Sequence, residues 1–466
     1  MSAHQLQAQG VDVVIASYEA YERNCTSKYM TGEEVGQIAA HIHDGDVITA
    51  KRPTCGLASD LGYFTYMPWK RVIIDEIQNL KNWDASRHTA IASISTRAFI
   101  GLSGTLPHNR WTDVGGYLDF IKGHPYTNQN KFLAQFTRGA YSASRSRPSP
   151  AAMTLLQRFF MAFTIIRPKD SLKLPPCRRV AFELKLPVHQ AERVEELTER
   201  YRVAAQMSQD GAVDSVIGEN GDASALGCAI QAQLHQLHPG LTPEAEELYD
   251  PKQDIANVTA EELNDKFSNE ESLPEENARA RWMRELESWP KSKIMDSAHL
   301  TAIVNLVHHI SDVLSQKVVI FSQYLRYLDL LDIALRDRGI VAFRYDGTVH
   351  TSMRSRVQEQ FQTTENCRPI LMTVGAGGIG LNLTAANIMI LCEELWNENA
   401  IAQAIARLHR QGQSEEVLVI KNLVTNSAID LEIVRVRETK VQVNADLLKP
   451  LIVPHDAQPT IPKLLY

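Results

Sequence analysis

Cysteine is scarce in this chain. The 466 residues hold six (Cys25, Cys55, Cys177, Cys228, Cys367 and Cys392), with no Cys-x-x-Cys among them. That argues against a zinc module and against a disulfide framework, and it suits a reducing compartment. Long apolar runs are also missing, so no membrane-spanning helix is expected. The first ten residues, MSAHQLQAQG, have neither a basic head nor an apolar stretch, and no secretory signal is expected there. A strong charge of one sign is lacking too. The net charge is -7, but residues 241–280 carry twelve Asp/Glu against three Lys/Arg, a net of -9, which leaves about +2 for the rest (-7 minus -9). Charge alone therefore neither requires nor forbids a nucleic-acid partner. The apolar fraction of 44% and charged fraction of 22% are those of globular cores, and the length suits about two or three domains.

Along the chain, apolar strands alternate with helical or polar stretches from Val11 to about Gly123. VDVVIASY, RVIIDE and RAFIGLSG read as buried strands of a parallel sheet. YSASRSRPSPAAM, residues 140–152, reads as a loop. Helical pattern follows over 153–210 around the proline-rich break LKLPPC, and residues 211–290 read as a flexible acidic insertion with short helices. Order returns at Pro290: KVVIFS, IVAFRYDG, RPILMTV, NIMILCEE and EVLVIKNLV are five further strands, with helices such as LRYLDLLDIALRDRG and MRSRVQEQFQ between them. The fold class expected is α/β. The division expected is a first lobe over 1–170, a linker and acidic insertion over 171–290, a second lobe over 291–445 and a tail over 446–466.

Four stretches carry chemistry. Asp75 and Glu76 end the strand in RVIIDE, at the edge where open α/β sheets bind ligands. Adjacent carboxylates there suit nucleotide hydrolysis, one holding magnesium and the next polarising water; a solvated acid pair opening a helix fits equally well. Ser103 and Thr105 in RAFIGLSGT follow a strand, as residues of a strand-end turn or of a contact with a bound strand. TVGAGGIGLNLTAANIMIL contains Gly-x-Gly-x-x-Gly (Gly375, Gly377, Gly380), and Glu393 and Glu394 stand where a dinucleotide fold would grip a ribose. However, LNLTAAN is too short for the helix that fold needs, so a glycine-rich loop between strands is the better reading. In NAIAQAIARLHRQGQ, read as one helix, Ile401, Ile405 and Leu408 form an apolar stripe. Gln403, Arg407 and Arg410 form a polar one pointing outward, as on a solvated face or one gripping a polyphosphate.

The order of these pieces resembles the two RecA-like lobes of superfamily-two helicases, and more narrowly the SWI/SNF-type helicase-like ATPases that move along duplex DNA. GAGGIGLNLTAAN, the downstream LWN and RLHRQGQ carry the narrower resemblance, which covers most of 11–123, 155–180 and 291–440. It implies ATP and Mg2+ as cofactors, with Asp75 holding the metal and Glu76 activating water. It implies that Ser103, Gly104 and Thr105 link ATP state to lobe movement, and that Ser322 and Gln323 form a second-lobe motif. Gly377, Gly378, Gly380, Asn382 and Thr384 would touch DNA backbone, with Gly378 and Gly380 also completing the nucleotide cleft. Gln403, Arg407 and Arg410 would close on the nucleotide, the arginines on its γ-phosphate. IASYEAY resembles the motif before the DE strand, and IIRPKDSLKLPPC the exit from the first lobe. The implied partners are duplex DNA or chromatin together with other protein subunits, with no membrane and no zinc. The implied place is the nucleus and the implied process remodelling or repair.

The chain also departs from that pattern. The family's phosphate loop, Gly-x-x-x-x-Gly-Lys-Ser/Thr, stands well upstream of IASYEAY, yet only ten residues precede Val11 and no Gly-Lys dipeptide occurs. The expectation is an incomplete first lobe with weak or no ATP hydrolysis. Such a chain is either a deficient DNA- or chromatin-binding fragment or a gene model truncated upstream. Gln78 stands where the family commonly has His, GTLPHNR replaces GTPxQN, and EELWN replaces a more usual acidic-proline pattern. Only Cys177 and Cys228 lie between 171 and 290, so no RING is expected. HIH at 41–43, HQLH at 235–238 and His308–His309 lack companion ligands and read as surface or core histidines.

Overall fold

A computed structural model describes residues 12–25, 69–107, 110–121, 123–126, 128–137, 148–166, 172–207, 225–242, 278–374 and 381–451. The chain divides into two compact units, one of residues 1–166 with 442–453 and the other of 167–441 with 454–466. Both carry parallel sheets flanked by helices, the α/β class expected.

In the first unit, β1 (Val72–Ile74) and β2 (Phe99–Gly101) pair in parallel, with Val72 opposite Phe99 and Ile74 opposite Gly101. A 3-10 turn (Ile77–Leu80) and the helix Ser86–Ala92 make the crossover that parallel pairing demands. Beneath lies an aromatic-rich core of Trp111, Tyr117, Phe120, Phe132, Phe136 and Phe160, joined by Val443 and Leu447. Gly116 is required here, since a Cβ would lie 2.1 Å from the Lys81 carbonyl oxygen. The helix Pro150–Met161 starts by rule, with Ser149 Oγ accepting from Ala152 N and proline in the first turn. One expectation fails: Asp12–Ser17 of VDVVIASY forms no strand, and Tyr18–Cys25 is a helix. The cause is local. Ser17 Oγ accepts from Ala20 N at 3.1 Å, a helix N-cap, and YEAYE carries good helix formers.

The second unit is built on a six-stranded parallel sheet of order β3-β8-β7-β4-β6-β5. Its strands are β3 (Cys177–Leu184), β4 (Val318–Ser322), β5 (Phe343–Tyr345), β6 (Ile370–Thr373), β7 (Ile388–Leu391) and β8 (Val417–Val424). Alternate side chains enter two separate cores. Val318 and Ile320 join Leu328, Leu331 and Ile303 on one face, while Val319 and Phe321 join Phe361, Leu383 and Ile401 on the other. That double coverage is why these strands read as unbroken apolar runs.

Two further expectations change here. Residues 171–290 were expected as linker and insertion. Their described parts hold β3, paired along its whole length with β8, and the helices Val188–Met207, Ala225–Leu237 and Ala278–Ser288, all within the second unit. Residues 208–224 and 243–277 lie outside the described residues. The helix Ala428–Leu448 continues past the expected lobe boundary at 445, and the division into units falls at Val441. No helix among the described residues is long and apolar enough to cross a membrane.

Candidate functional site

In the first unit, β1 delivers Asp75 and Glu76 to the carboxyl edge of its sheet. Asp75 is exposed; its Oδ1 accepts from Glu76 N at 3.0 Å, and its carbonyl accepts from Tyr18 OH at 2.6 Å. IASYEAY thus reaches the acid pair through one phenol. Glu76 adopts φ 49, ψ 53, a left-handed conformation unusual for a residue with a side chain and often found at functional sites. Buried Gln78 joins the pair to the next motif. Its Nε2 donates to Glu76 Oε2, its Oε1 accepts from Ser103 Oγ at 2.8 Å, and Ser103 Oγ in turn accepts from Thr105 N at 3.0 Å. The structure therefore brings Asp75, Glu76, Ser103 and Thr105 together, with Gly104 exposed between the last two.

Sequence reading noticed Gln78 only as a departure. An amide carries both a donor and an acceptor, and that was the one available signal that it could bridge an acid and a hydroxyl. Oxygen-only donors at a sheet edge fit magnesium, which keeps several waters and takes one or two carboxylates beside phosphate oxygens. Among the described residues no set of three His, Cys, Asp or Glu side chains forms a closed metal cage.

In the second unit, Ser322 and Gln323 end β4 and Glu393 follows β7, the neighbouring strand. Glu393 Oε1 accepts from Ser322 Oγ at 3.2 Å and from Gln323 N at 2.6 Å, while its Oε2 is buried with no hydrogen-bond partner among the described residues. Burial pushes its pKa up to about 8 against those two hydrogen bonds, with help from Asp430 and Glu394. Asp430 is pushed up to about 7 by burial, opposed by Gln236 and by Val424 N. Glu394 is buried and paired with Arg437. Neither Glu393 nor Glu394 is placed to grip a ribose: both are structural carboxylates. Behind them, buried His299 lies 2.8 Å from the Cys392 carbonyl through Nε2 and 2.9 Å from Tyr327 OH through Nδ1. Burial lowers its pKa to about 4, so it is neutral.

Gly377, Gly378 and Gly380 lie outside the described residues. Downstream, Asn382 Oδ1 accepts from Thr384 N at 3.3 Å. The Arg407 carbonyl accepts from Leu383 N at 3.0 Å, and Arg410 Nη1 donates to the Leu381 carbonyl at 2.8 Å. These bonds bring Asn382, Thr384, Arg407 and Arg410 into one neighbourhood. The expected single helix is corrected: it spans only Glu398–Ile405, with Gln403 partly buried in its last turn. Ile401, Ile405 and Leu408 are buried as expected, but Arg407 is only 8% exposed and lies on no outward helical stripe. One backbone bond from Leu383 N, side-chain bonds from Arg410 and Gln413 to the 381–386 carbonyls, and His409 Nε2 at 2.7 Å from the Pro175 carbonyl replace further helical turns.

A family model of the SNF2-related domain matches residues 1–241, and one of the helicase conserved C-terminal domain matches 299–412. The chain is 24% identical over 363 residues to the probable global transactivator of Orgyia pseudotsugata multicapsid polyhedrosis virus, covering 76% of this chain and 62% of that protein. It is also 24% identical over 451 residues to the SWI/SNF-related matrix-associated actin-dependent regulator of chromatin subfamily A containing DEAD/H box 1 of Mus musculus, covering 91% of this chain and 42% of that one. Among solved structures, the C-terminal part of the Fun30 ATPase domain is similar at 19% identity and a TM-score of 0.42, over 60% of this chain and 98% of that one. This chain thus spans between 42% and 62% of the length of these two curated relatives.

Proposed function

This chain belongs to the SNF2-related, SWI/SNF-type family of helicase-like ATPases, and we propose that it is a DNA-dependent ATPase acting on duplex DNA or chromatin, in remodelling or repair within the nucleus. One observation carries the reading furthest: an unbroken hydrogen-bond path from Glu76 through Gln78 to Ser103 and Thr105. Such a path lets the protonation and position of the acid be felt at a polar turn on the same sheet edge, as coupling of hydrolysis to a bound strand needs.

Asp75, exposed and bound by one backbone amide, is the residue to hold Mg2+ through its carboxylate. Glu76 keeps Oε1 to take a proton from water while Gln78 fixes Oε2. ATP supplies the phosphoanhydride bond that water breaks. Arg407 and Arg410 would offer guanidinium forks to phosphate oxygens, with Gln403, Gly378 and Gly380 lining the nucleotide. Gln323, Gly377, Asn382 and Thr384 would meet DNA backbone, contacts that position without reading sequence, while Ser322, fully buried and bonded to Glu393, would serve in coupling.

A second reading is a DNA- or chromatin-binding protein without turnover. Steady-state ATP hydrolysis with and without duplex DNA separates the two. The first reading expects turnover that rises with duplex and falls about 100-fold or more in Glu76→Gln. Duplex binding that weakens with salt, with no turnover, would establish the second. A chain that neither binds duplex nor turns over ATP would remove both.

A further inference from the structure

The helix Ala225–Leu237 lies in the segment expected to be an insertion, yet it carries a side-chain amide with four hydrogen bonds. Gln233 is fully buried. Its Oε1 accepts from Gln323 Nε2 at 3.2 Å, from Tyr324 OH at 2.9 Å and from Trp396 Nε1 at 3.1 Å, and its Nε2 donates to the Glu394 carbonyl at 2.9 Å. Gln323 and Tyr324 belong to the loop that leaves β4; Glu394 and Trp396 belong to the loop that leaves β7. The two strands are neighbours in the sheet, so their loops lie side by side at its carboxyl edge.

One turn later on the same helix, Gln236 Nε2 lies 3.0 Å from both carboxylate oxygens of Asp430, and its Oε1 accepts from Ser427 Oγ. Asp430 Oδ2 also accepts from Val424 N at the end of β8. Residues three apart share a helix face, so one face holds the exits of three successive strands of the sheet. No apolar residue could do this, because three donors, one buried and two partly buried, would lose their acceptor at once.

We propose that Gln233 is a positioning residue, through which the helix Ala225–Leu237 holds the loops after β4 and β7 in the register that lets the loop carrying partly exposed Gln323 engage duplex DNA. The inference rests on the reading that this protein binds duplex DNA. It adds that a residue distant in sequence from every expected motif sets how well that binding is organised. A residue that merely packed the helix would affect folding and leave the energetic link to Gln323 untouched.

The test is a double-mutant cycle read as affinity of the full chain for a short labelled duplex at one fixed salt concentration, beside thermal melts of each variant. Gln233→Met and Gln323→Met are each expected to weaken binding about tenfold, with the double variant within about twofold of either single one. Full additivity, or wild-type affinity in Gln233→Met, would overturn the inference while leaving duplex binding intact. Should Gln233→Met fail to fold, Trp396→Phe removes a single donor; its expected effect is about threefold and again non-additive with Gln323→Met, and additivity there overturns the inference equally. Failure of the wild-type chain to bind duplex would instead sink the DNA-binding reading itself, and this inference with it.

Discussion

The two sheets share one plan and differ in support. In the second unit every residue of β4, β6 and β7 is buried, and each face of the sheet has its own core. In the first unit the described residues form two paired three-residue strands, the first of which leads into the acid pair, with Ile73 63% and Ile100 41% exposed. Polar groups at the second sheet's edge are held from neighbouring strands and from a separate helix. Among the described residues, those at the first are tied together through Gln78 and Tyr18. Equivalent chemistry at a sheet edge can thus stand on a rigid, closed scaffold or on a thin one, and the two should respond differently to the same kind of damage.

The largest expected effect is in the second unit's ion-pair cluster. Buried Asp329 accepts from Arg279 Nη1 and Nη2 at 3.0 and 2.9 Å, from Trp282 Nε1 at 3.1 Å and from Arg344 Nη2 at 2.7 Å, and Arg344 also pairs with buried Asp346. Asp329→Ala would leave two guanidinium groups without their shared acceptor, at a cost of about 3–5 kcal/mol. Urea melts should show the loss in the transition of the second unit. A loss below about 1 kcal/mol would mean that this scaffold is far less rigid than its burial implies.

Next comes pH. Glu393 moves from an ordinary 4.5 up to about 8, and Asp430 from 3.8 up to about 7. Between those limits the folded chain holds protons that the unfolded chain has released, so both groups make stability fall as pH rises through these windows. His299 has the opposite sign. Lowered from 6.5 to about 4, it contributes stability that is complete above 6.5 and lost as pH falls toward 4. Between about pH 4.5 and 6.5 the two carboxyls outweigh His299, and above 6.5 His299 no longer opposes them, so the contribution of these three groups to the second unit's stability should be greatest near pH 4–4.5 and fall steadily toward alkaline pH. Glu393→Gln keeps an acceptor for Ser322 and Gln323 without the buried charge, and should raise Tm above pH 8 by on the order of 5 °C. An unchanged alkaline slope would show that Glu393 titrates normally.

How much of this was legible beforehand follows the same contrast. The five strands after Pro290 were readable because double burial writes itself as unbroken Val, Ile and Leu. β3 was not, because CRRVAFEL is an edge strand with only partial burial and two arginines near its start. The end of the helix at Ile405 was hidden because ARLHRQ continues the helical pattern, and only tertiary bonds to Leu383 and Pro175 divert it. The described part of VDVVIASY forms no strand because Ser17 caps a helix that its last residue enters, a local signal that an apolar run does not show. The acid pair was legible from its motif. Its tie to Ser103 was not, since a side-chain bond across 25 residues leaves no periodicity.

That tie gives the third prediction. Gln78→Leu keeps the volume and removes both hydrogen bonds, and should lower duplex-stimulated ATP turnover about tenfold. Gln78→His, which keeps a donor and an acceptor on one ring, should recover most of it. Equal turnover in Gln78→Leu and wild type would separate the acid pair from Ser103 and leave the first unit's edge as two independent turns.

The smallest expected effect tests the thin scaffold directly. Ile73 projects from β1 on the face where Ile100 and Leu102 are also exposed, while its neighbours Val72 and Ile74 pack into the core. Ile73→Thr keeps the β-branch that favours a strand and gives up apolar surface that is already in water, so its cost should stay within about 0.5 kcal/mol. The matching change in the second unit, Ile320→Thr, puts a hydroxyl into a fully buried site with no partner and should cost about 2 kcal/mol or more. Denaturant melts of the two variants give the ratio. Were Ile73→Thr to cost as much as Ile320→Thr, the first sheet would be covered on both faces in solution.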